Sequence, residues 1–164
     1  GWLYCDDGAG EKADFIHIDE YLGSTIVSLI HIKAANSISS GRRISVGAHD
    51  IVLSQAVKNL RYSNRKNLIQ DLTERAANSK NKMCWHENKL IQSSDFLNKL
   101  TTLNANPNKI KTRVIVIQPH TTKSYYLKSH NNNIKRQLDV LLVSSDNAIK
   151  SSGAEFHIIG FNDD

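Results

Sequence analysis

The chain has 164 residues and a formal net charge of +5, a length at which a single domain with a sizeable core is expected. No apolar run approaches the roughly 20 residues of a membrane span and no signal peptide opens the sequence, which argues against a membrane protein. The two cysteines, Cys5 and Cys84, are too few for a disulfide framework, so we expect a cytoplasmic protein.

The first part of the chain favours three strands followed by a helix. Strands are predicted over residues 2–5, 13–18 and 25–34, which are rich in β-forming residues and are separated by glycine-containing turns. The third strand is apolar on both faces, which is typical of a central strand covered on both sides. A helix is predicted over residues 49–62, where apolar residues recur at helical spacing.

The rest of the chain alternates predicted helices and strands. We expect helices within residues 65–103, a buried strand over 113–118 that Pro119 ends, a long helix over 132–151 and a last strand over 156–161. The early strands can pair as a hairpin, whereas the later ones need helical crossovers. This order predicts an α/β fold, with a mixed central β-sheet flanked by helices. Because the chain begins at Gly1 and not at a methionine, we expect one domain over residues 1–164, excised from a longer protein.

Charge is distributed unevenly along the chain. Residues 1–20 contain six acids and one base, a local net charge of −5, and residues 42–66 contain six bases and one acid, a local net charge of +5. Two solvated faces would produce this pattern. The alternative is a metal site beside a phosphate-binding surface. On that interpretation the basic residues that contact nucleic acid are Lys58, Arg61, Arg65, Lys66, Arg42 and Arg43.

Three residues form the candidate catalytic set. His31 and Lys33 are two apart on a predicted strand, so their side chains point the same way, roughly 6–7 Å apart. A histidine and a lysine on a buried strand need a partner to offset their desolvation. Asp14 opens the preceding strand, and in an antiparallel hairpin the start of that strand lies beside the end of the next. We therefore predict that Asp14, His31 and Lys33 converge at one end of the hairpin.

This set of side chains suits phosphodiester hydrolysis. A carboxylate holds a divalent cation, a second side chain completes its shell, and a lysine activates water or offsets charge that grows on the phosphate. The plainer alternative is a structural ion pair between Asp14 and Lys33, with His31 as a buried structural histidine.

The same residues resemble the PD-(D/E)XK, or restriction-endonuclease-like, nuclease superfamily. Its members have an aspartate, a hairpin, an acid-x-Lys strand and a helix that often bears a glutamine. Asp14, the segment His31-Ile32-Lys33 and Gln55 follow that order. Segments 7–15, 31–34 and 54–61 are also similar to nuclease-type domains appended to bacterial helicases in phage-defence loci. The resemblance implies a restriction-endonuclease-like core, a divalent metal ion, Mg²⁺ or Mn²⁺, and a helicase-associated role in antiviral defence.

One position departs from the superfamily pattern. Where His31 stands, members usually carry Glu, Asp or Gln. A neutral imidazole can bind metal and suits Mn²⁺ better than Mg²⁺; alternatively, the histidine marks loss of activity. Glu11 can restore the missing carboxylate beside Asp14, and Asp7 is a weaker candidate. The resemblance implies that Gln55 orients Lys33 or a phosphate.

The sequence therefore favours a metal-dependent endonuclease that hydrolyses phosphodiester bonds of nucleic acid, with DNA as the favoured substrate. The expected partners are nucleic acid and the rest of a helicase-like polypeptide or complex, with no membrane; homo-oligomerisation is left open. Two rivals remain: a catalytically inactive nucleic-acid-binding module of the same fold, and an interaction domain within a helicase-like assembly.

Overall fold

The computed structural model describes residues 1–33, 44–78, 83–105, 109–128 and 133–162. The elements in chain order are β1 (Trp2–Cys5), β2 (Phe15–Tyr21), β3 (Ser24–Ile32), α1 (Val46–Lys58), a 3₁₀-helix (Asn59–Ser63), α2 (Arg65–Asn78), β4 (Cys84–His86), β5 (Lys89–Ile91), α3 (Ser93–Asn104), β6 (Ile110–Thr122), α4 (Lys123–Lys128), α5 (Asn133–Ser151) and β7 (Glu155–Phe161). The predicted α/β class, with a mixed β-sheet flanked by helices, is confirmed.

The chain divides into two compact units. The first contains Gly1–Ile30 and Asn59–Arg113, and the second contains His31–Lys58 and Val114–Asp164. The division falls within β3 and within β6, so each of these two strands contributes residues to both units.

The first unit is built on antiparallel strands in the order β5-β4-β1-β2-β3. In the β2–β3 hairpin, Phe15 pairs with Ile30 and Tyr21 pairs with Ser24. The two connecting residues, Leu22 and Gly23, both have positive φ, of 49° and 74°. Turns of this kind match the right-handed twist of the flanking strands, which explains why so short a loop sets the register.

Alternation along β2 explains the core of the first unit. Ile16 and Ile18 are buried and their neighbours are less so, as the two faces of a strand require. Helices α2 and α3 cover this face, and the ring of Tyr4 on β1 lies 5.1 Å from that of Phe96 on α3. Each large side chain removed from water here contributes roughly 1.5–3 kcal/mol to folding.

The second unit combines the strand order β3-β6-β7 with helices α1, α4 and α5. Beyond the end of β3, the backbone N–H of Lys33 donates to the carbonyl of Ile117 on β6 over 3.1 Å. Helices α1 and α5 pack together. Val116, Leu138 and Ile149 are among the residues that form its buried core.

Several predicted boundaries are wrong. The helix expected over residues 49–62 begins at Val46, ends at Lys58 and is followed by a 3₁₀-helix, in which Asn59 and Tyr62 are buried. The stretch expected to be helical over 65–103 contains the β4–β5 hairpin, whose turn residues Glu87 and Asn88 both have positive φ. Strand β6 continues past Pro119 to Thr122, because a proline removes only one N–H donor and the strand can resume after it.

Candidate functional site

Three carboxylates of the first unit come together in the segment that joins β1 to β2. The ligand oxygens of Asp7, Glu11 and Asp14 all lie within 4.8 Å of one another; Asp7 is exposed and the other two are half-buried. The sequence predicted Asp14 and Glu11 as metal ligands and Asp7 as a weaker candidate, and the structure brings these three acids together. We call residues 6–14 the acidic loop.

Two glycines give the acidic loop its shape. Gly8 has φ = 127° and Gly10 has φ = 78°, values that glycine adopts without the strain of a side chain. Within the turn, the N–H of Glu11 donates to the carbonyl of Gly8 over 3.1 Å, and the N–H of Gly8 donates to Glu11 Oε2 over 2.8 Å. The N–H of Asp6 donates to the carbonyl of Asp14 over 3.0 Å, which closes the loop at its base.

A buried ion pair fixes the start of the acidic loop. Asp6 has no exposed surface, and its Oδ1 accepts a hydrogen bond of 2.7 Å from Nε of Arg75 on α2. Its second oxygen, Oδ2, accepts from the backbone N–H of Lys12 over 2.8 Å. Arg75 also donates through Nη1 to the carbonyl of Ala9 and through Nη2 to that of Asp6. A buried carboxylate with these partners is compensated for its desolvation.

A second network ties Lys12 to helix α2. Its ammonium lies 2.8 Å from Asp71 Oδ2, which also accepts from the Tyr62 hydroxyl over 2.7 Å. Burial acts to lower the pKa of Lys12, yet hydrogen bonding to Asp71 and Tyr62 raises this pKa above its ordinary value. The hydrogen bonds from Lys12 and Tyr62 in turn lower the pKa of Asp71. Both groups are therefore charged at neutral pH, and the Lys12 charge is directed toward Asp71.

The acidic loop and α2 border an open polar cavity of about 580 Å³, lined by Asp7, Gly8, Ala9, Gly10, Lys12, Asp71, Glu74, Arg75 and Asn78. Carboxylate oxygens are the ligands that Mg²⁺, Mn²⁺ and Ca²⁺ prefer. The three ligand oxygens are close enough together to contact one bound cation. The donor set of Asp7, Glu11 and Asp14 therefore fits a hard divalent cation.

His31, in the second unit, is fully buried. Neither ring nitrogen has a hydrogen-bond partner among the residues that the structure describes. Burial lowers the pKa of His31 to about 4, so its imidazole is neutral at physiological pH. Neutral imidazole is the form that coordinates metal, and it is also the form that a structural core position requires.

Lys33 and Gln55 also belong to the second unit. Lys33 is exposed just beyond the end of β3, and Gln55 is half-buried on α1. The antiparallel β2–β3 pairing that the sequence predicted is confirmed through Phe15 and Ile30, the residue before His31. Convergence of Asp14 with His31 and Lys33 stays a prediction.

The described residues among the predicted nucleic-acid contacts lie on three consecutive helical elements. Lys58 is the last residue of α1, Arg61 lies in the 3₁₀-helix, and Arg65 and Lys66 open α2. Of these, Lys58, Arg61 and Lys66 are exposed, whereas Arg65 is half-buried. The Arg61 guanidinium lies 4.8 Å above the Tyr62 ring and donates to its hydroxyl. Arg42 and Arg43 lie outside the described residues.

The sequence interpretation missed Arg75 and Asp71. They lie one turn apart on α2, but their partners Asp6 and Lys12 are about 60 to 70 residues earlier. The spacing of Asp71 and Arg75 indicates a shared helix face, and only the tertiary fold identifies that face as the support of the acidic loop.

Comparison with known proteins adds no relative: no family model, curated protein or solved structure matches the chain significantly. Among the described helices, none combines the length and the apolar character needed to cross a membrane.

Proposed function

We propose that this chain is a metal-dependent endonuclease domain with a restriction-endonuclease-like core, which hydrolyses phosphodiester bonds of nucleic acid and favours DNA. We further propose that it serves a bacterial anti-phage defence protein associated with a helicase. The observation that carries the proposal is the meeting of Asp14 with Glu11 and Asp7. Asp14 is the residue that the superfamily resemblance identifies as the metal-binding aspartate.

In this proposal the acidic loop holds the metal ion. Asp14 and Glu11 provide oxygen ligands from a loop whose shape is set by Gly8 and Gly10, and Asp7 adds a third carboxylate at the exposed side. A bound Mg²⁺ or Mn²⁺ ion would polarise the phosphoryl oxygen and lower the pKa of a coordinated water molecule.

The remaining residues take the roles that the resemblance implies. Lys33 offers its positive charge to the phosphate, and its exposure beyond β3 leaves the ammonium accessible to a large substrate. His31 contributes a neutral imidazole. This imidazole is either the second metal ligand or what remains at that position after the ligand function was lost. Gln55 orients Lys33 or a phosphate oxygen.

Exposed bases provide the surface for the nucleic-acid backbone. Lys58, Arg61 and Lys66 are accessible, and no acid lies in the first turn of α2. A helix N-terminus carries a partial positive charge, so Arg65 and Lys66 add to a field that already attracts phosphate. This arrangement supports electrostatic, sequence-independent binding to the nucleic-acid backbone.

His31 also favours a second candidate, a catalytically inactive nucleic-acid-binding or interaction module. A buried neutral imidazole stands where the superfamily usually has a carboxylate, and it supplies none of the negative charge that a hard cation prefers. On this alternative the basic surface is retained, whereas hydrolysis is lost.

The experiment that separates the two candidates measures cleavage of plasmid, linear and single-stranded DNA and of RNA, with Mg²⁺ or Mn²⁺. The endonuclease proposal expects wild-type cleavage that Asp14→Asn and Lys33→Ala each abolish while nucleic-acid binding persists. Glu20→Gln is the matched control, because Glu20 is an exposed acid of β2 that pairs with Lys99. Binding without cleavage on every substrate and with both metals would establish the inactive module instead.

A further inference from the structure

The second unit contains a cavity of about 380 Å³ that the proposed nuclease chemistry does not use. It lies among β6, α4, α5 and β7, with one residue of α1 in its wall. Its walls are mainly apolar, and the described residues that line it are His49, Gln118, Thr121, Thr122, Lys123, Tyr126, Leu138, Leu142, Ile158, Ile159, Gly160, Phe161 and Asn162. Sites for small molecules are of this size and combine apolar walls with a few polar groups.

The polar wall of the cavity is held in place by hydrogen bonds. His49 is almost fully buried, and its Nδ1 lies 2.8 Å from the carbonyl oxygen of Ser45. A carbonyl oxygen only accepts, so Nδ1 carries a hydrogen, and Nε2 lies 3.3 Å from the Thr121 hydroxyl oxygen. Gln118 and Thr122 beside it are also buried. This wall is therefore formed before any ligand arrives.

The opposite wall is equally fixed. The Tyr126 hydroxyl donates to Asp139 Oδ1 over 2.7 Å, and the Lys135 ammonium lies 4.3 Å from the centre of the Tyr126 ring. Lys135 also pairs with Asp139 over 2.9 Å. The tyrosine ring is thus positioned by its neighbours.

Apolar side chains surround the mouth of the cavity. Phe161 is 53% exposed, Ile159 is 47% exposed and Ile158 is 37% exposed, although all three line the cavity. An apolar ligand body that entered here would remove this surface from water, at roughly 25 cal/mol for each Å² buried.

The charge of the lining selects the type of ligand. Among the described lining residues Lys123 is a cation and no aspartate or glutamate is present. Lys123 is exposed at the rim, so a headgroup beside it stays in water while the body of the ligand lies inside.

From the apolar walls and the single rim cation we infer that this cavity binds a small amphipathic anion, with its apolar body against Leu138, Leu142 and Phe161 and its anionic headgroup at Lys123. The inference is independent of the nuclease proposal, since every residue that carries it lies in the second unit and none belongs to the acidic loop.

A matched pair of fluorescent probes tests this directly. 8-Anilinonaphthalene-1-sulfonate has an aromatic body and one sulfonate, and N-phenyl-1-naphthylamine has the same body without the charge. We expect saturable 1:1 binding of both probes to the full chain, with the sulfonate probe tighter. Lys123→Gln should weaken the sulfonate probe about two- to fivefold, the size of one exposed charge pair, and leave the neutral probe unchanged. Lys128→Gln, on the same short helix but outside the lining, should affect neither probe.

Ile158→Trp distinguishes this cavity from other apolar surfaces. The substitution enlarges a side chain at the exposed mouth, so the fold is expected to tolerate it, and circular dichroism checks that it does. Binding of both probes should fall at least tenfold. Unsaturable binding, or binding that neither Lys123→Gln nor Ile158→Trp changes, would overturn the inference. A dimer in which a second copy covers the cavity would also overturn the inference. In that case sedimentation would show a dimer, neither probe would bind, and Ile158→Trp would convert the protein to a monomer.

Discussion

Arg75 donates three hydrogen bonds to the acidic loop, two of them to Asp6: Nε to the carboxylate over 2.7 Å and Nη2 to the backbone carbonyl over 3.0 Å. The third joins Nη1 to the carbonyl of Ala9 over 2.8 Å. One side chain of α2 therefore contacts the start and the middle of the loop that holds the three clustered acids. The backbone N–H of Asp6 also donates to the carbonyl of Asp14, so the residue that Arg75 holds is bonded to the end of the loop as well.

Arg75→Ala should therefore destabilise the protein strongly. The substitution leaves the buried Asp6 carboxylate without its cation, and breaking a buried ion pair from one side costs about 3–5 kcal/mol. Urea unfolding followed by circular dichroism measures the change in the free energy of unfolding.

Lys99→Ala is the matched control for Arg75→Ala. It removes an ion pair of the same 2.7 Å length, from Lys99 to Glu20, but Glu20 is 56% exposed. An exposed pair contributes about 1 kcal/mol or less. Equal losses for the two substitutions would mean that burial of Asp6 does not make its pairing more important.

The carboxylate cluster predicts a stabilisation that depends on the cation. Mn²⁺ that binds only the folded protein raises the free energy of unfolding by about 2.7 kcal/mol at a concentration one hundred times its dissociation constant. We expect Mn²⁺ to raise the melting temperature of the wild type. Asp14→Asn should remove most of this rise, because one charged ligand is lost.

Glu20→Gln controls for a general effect of Mn²⁺ on acidic surfaces, and it should retain the wild-type response. Chelation with EDTA should return the wild type to its metal-free melting temperature. A wild-type protein that does not respond to Mn²⁺ would contradict the metal site itself, whatever the outcome of the cleavage assays.

The basic surface predicts a change in salt dependence. Lys58 and Lys66 are both exposed, and each phosphate contact contributes about 0.9 to the slope of log affinity against log salt on duplex DNA. The double change Lys58→Ala, Lys66→Ala should flatten that slope by up to about 2 units. Fluorescence anisotropy with labelled duplex across a salt series measures it. Lys150→Ala, an exposed lysine of α5 paired with Asp146, should keep the wild-type slope.

Local pattern predicted the elements well where one face is buried or the apolar stripe is long. Strand β2 alternates and α5 has a sustained stripe, and both lie close to their predicted positions. The β4–β5 hairpin escaped prediction because each strand has only three residues and its turn, Glu87-Asn88, lacks the glycine that marks such turns. Short strands of this kind are fixed by pairing with β1, which no local window contains.

The candidate site also has one part that the local sequence predicts and one part that only the tertiary fold determines. Asp7, Glu11 and Asp14 are close in sequence around two glycines, so their grouping was predictable from the loop itself. The role of Arg75 depends on the packing of α2 against the acidic loop, over a sequence separation of 69 residues from Asp6. Nothing in the local composition around either residue specifies that contact.

His31 predicts how stability depends on pH. Its ordinary pKa is 6.5 and burial lowers the pKa in the folded protein to about 4, so between these values the unfolded chain binds a proton that the folded protein does not. Stability must then fall as the pH decreases through this range. Since one pKa unit corresponds to about 1.36 kcal/mol, the full effect is about 3 kcal/mol. It is absent above about pH 7 and complete only below about pH 4.

His31→Leu isolates this contribution. The ring nitrogens have no hydrogen-bond partner among the described residues, so an apolar side chain of similar size breaks no described hydrogen bond. Urea unfolding at pH 7, 5.5 and 4 should give a stability difference between His31→Leu and the wild type that moves in favour of the variant by about 3 kcal/mol as the pH falls. All other titrating groups cancel in that difference. His157→Leu is the control for loss of a histidine that is not buried, since His157 is exposed on β7. A constant difference for His31→Leu would mean that the folded protein accepts the proton at His31 as readily as the unfolded chain does.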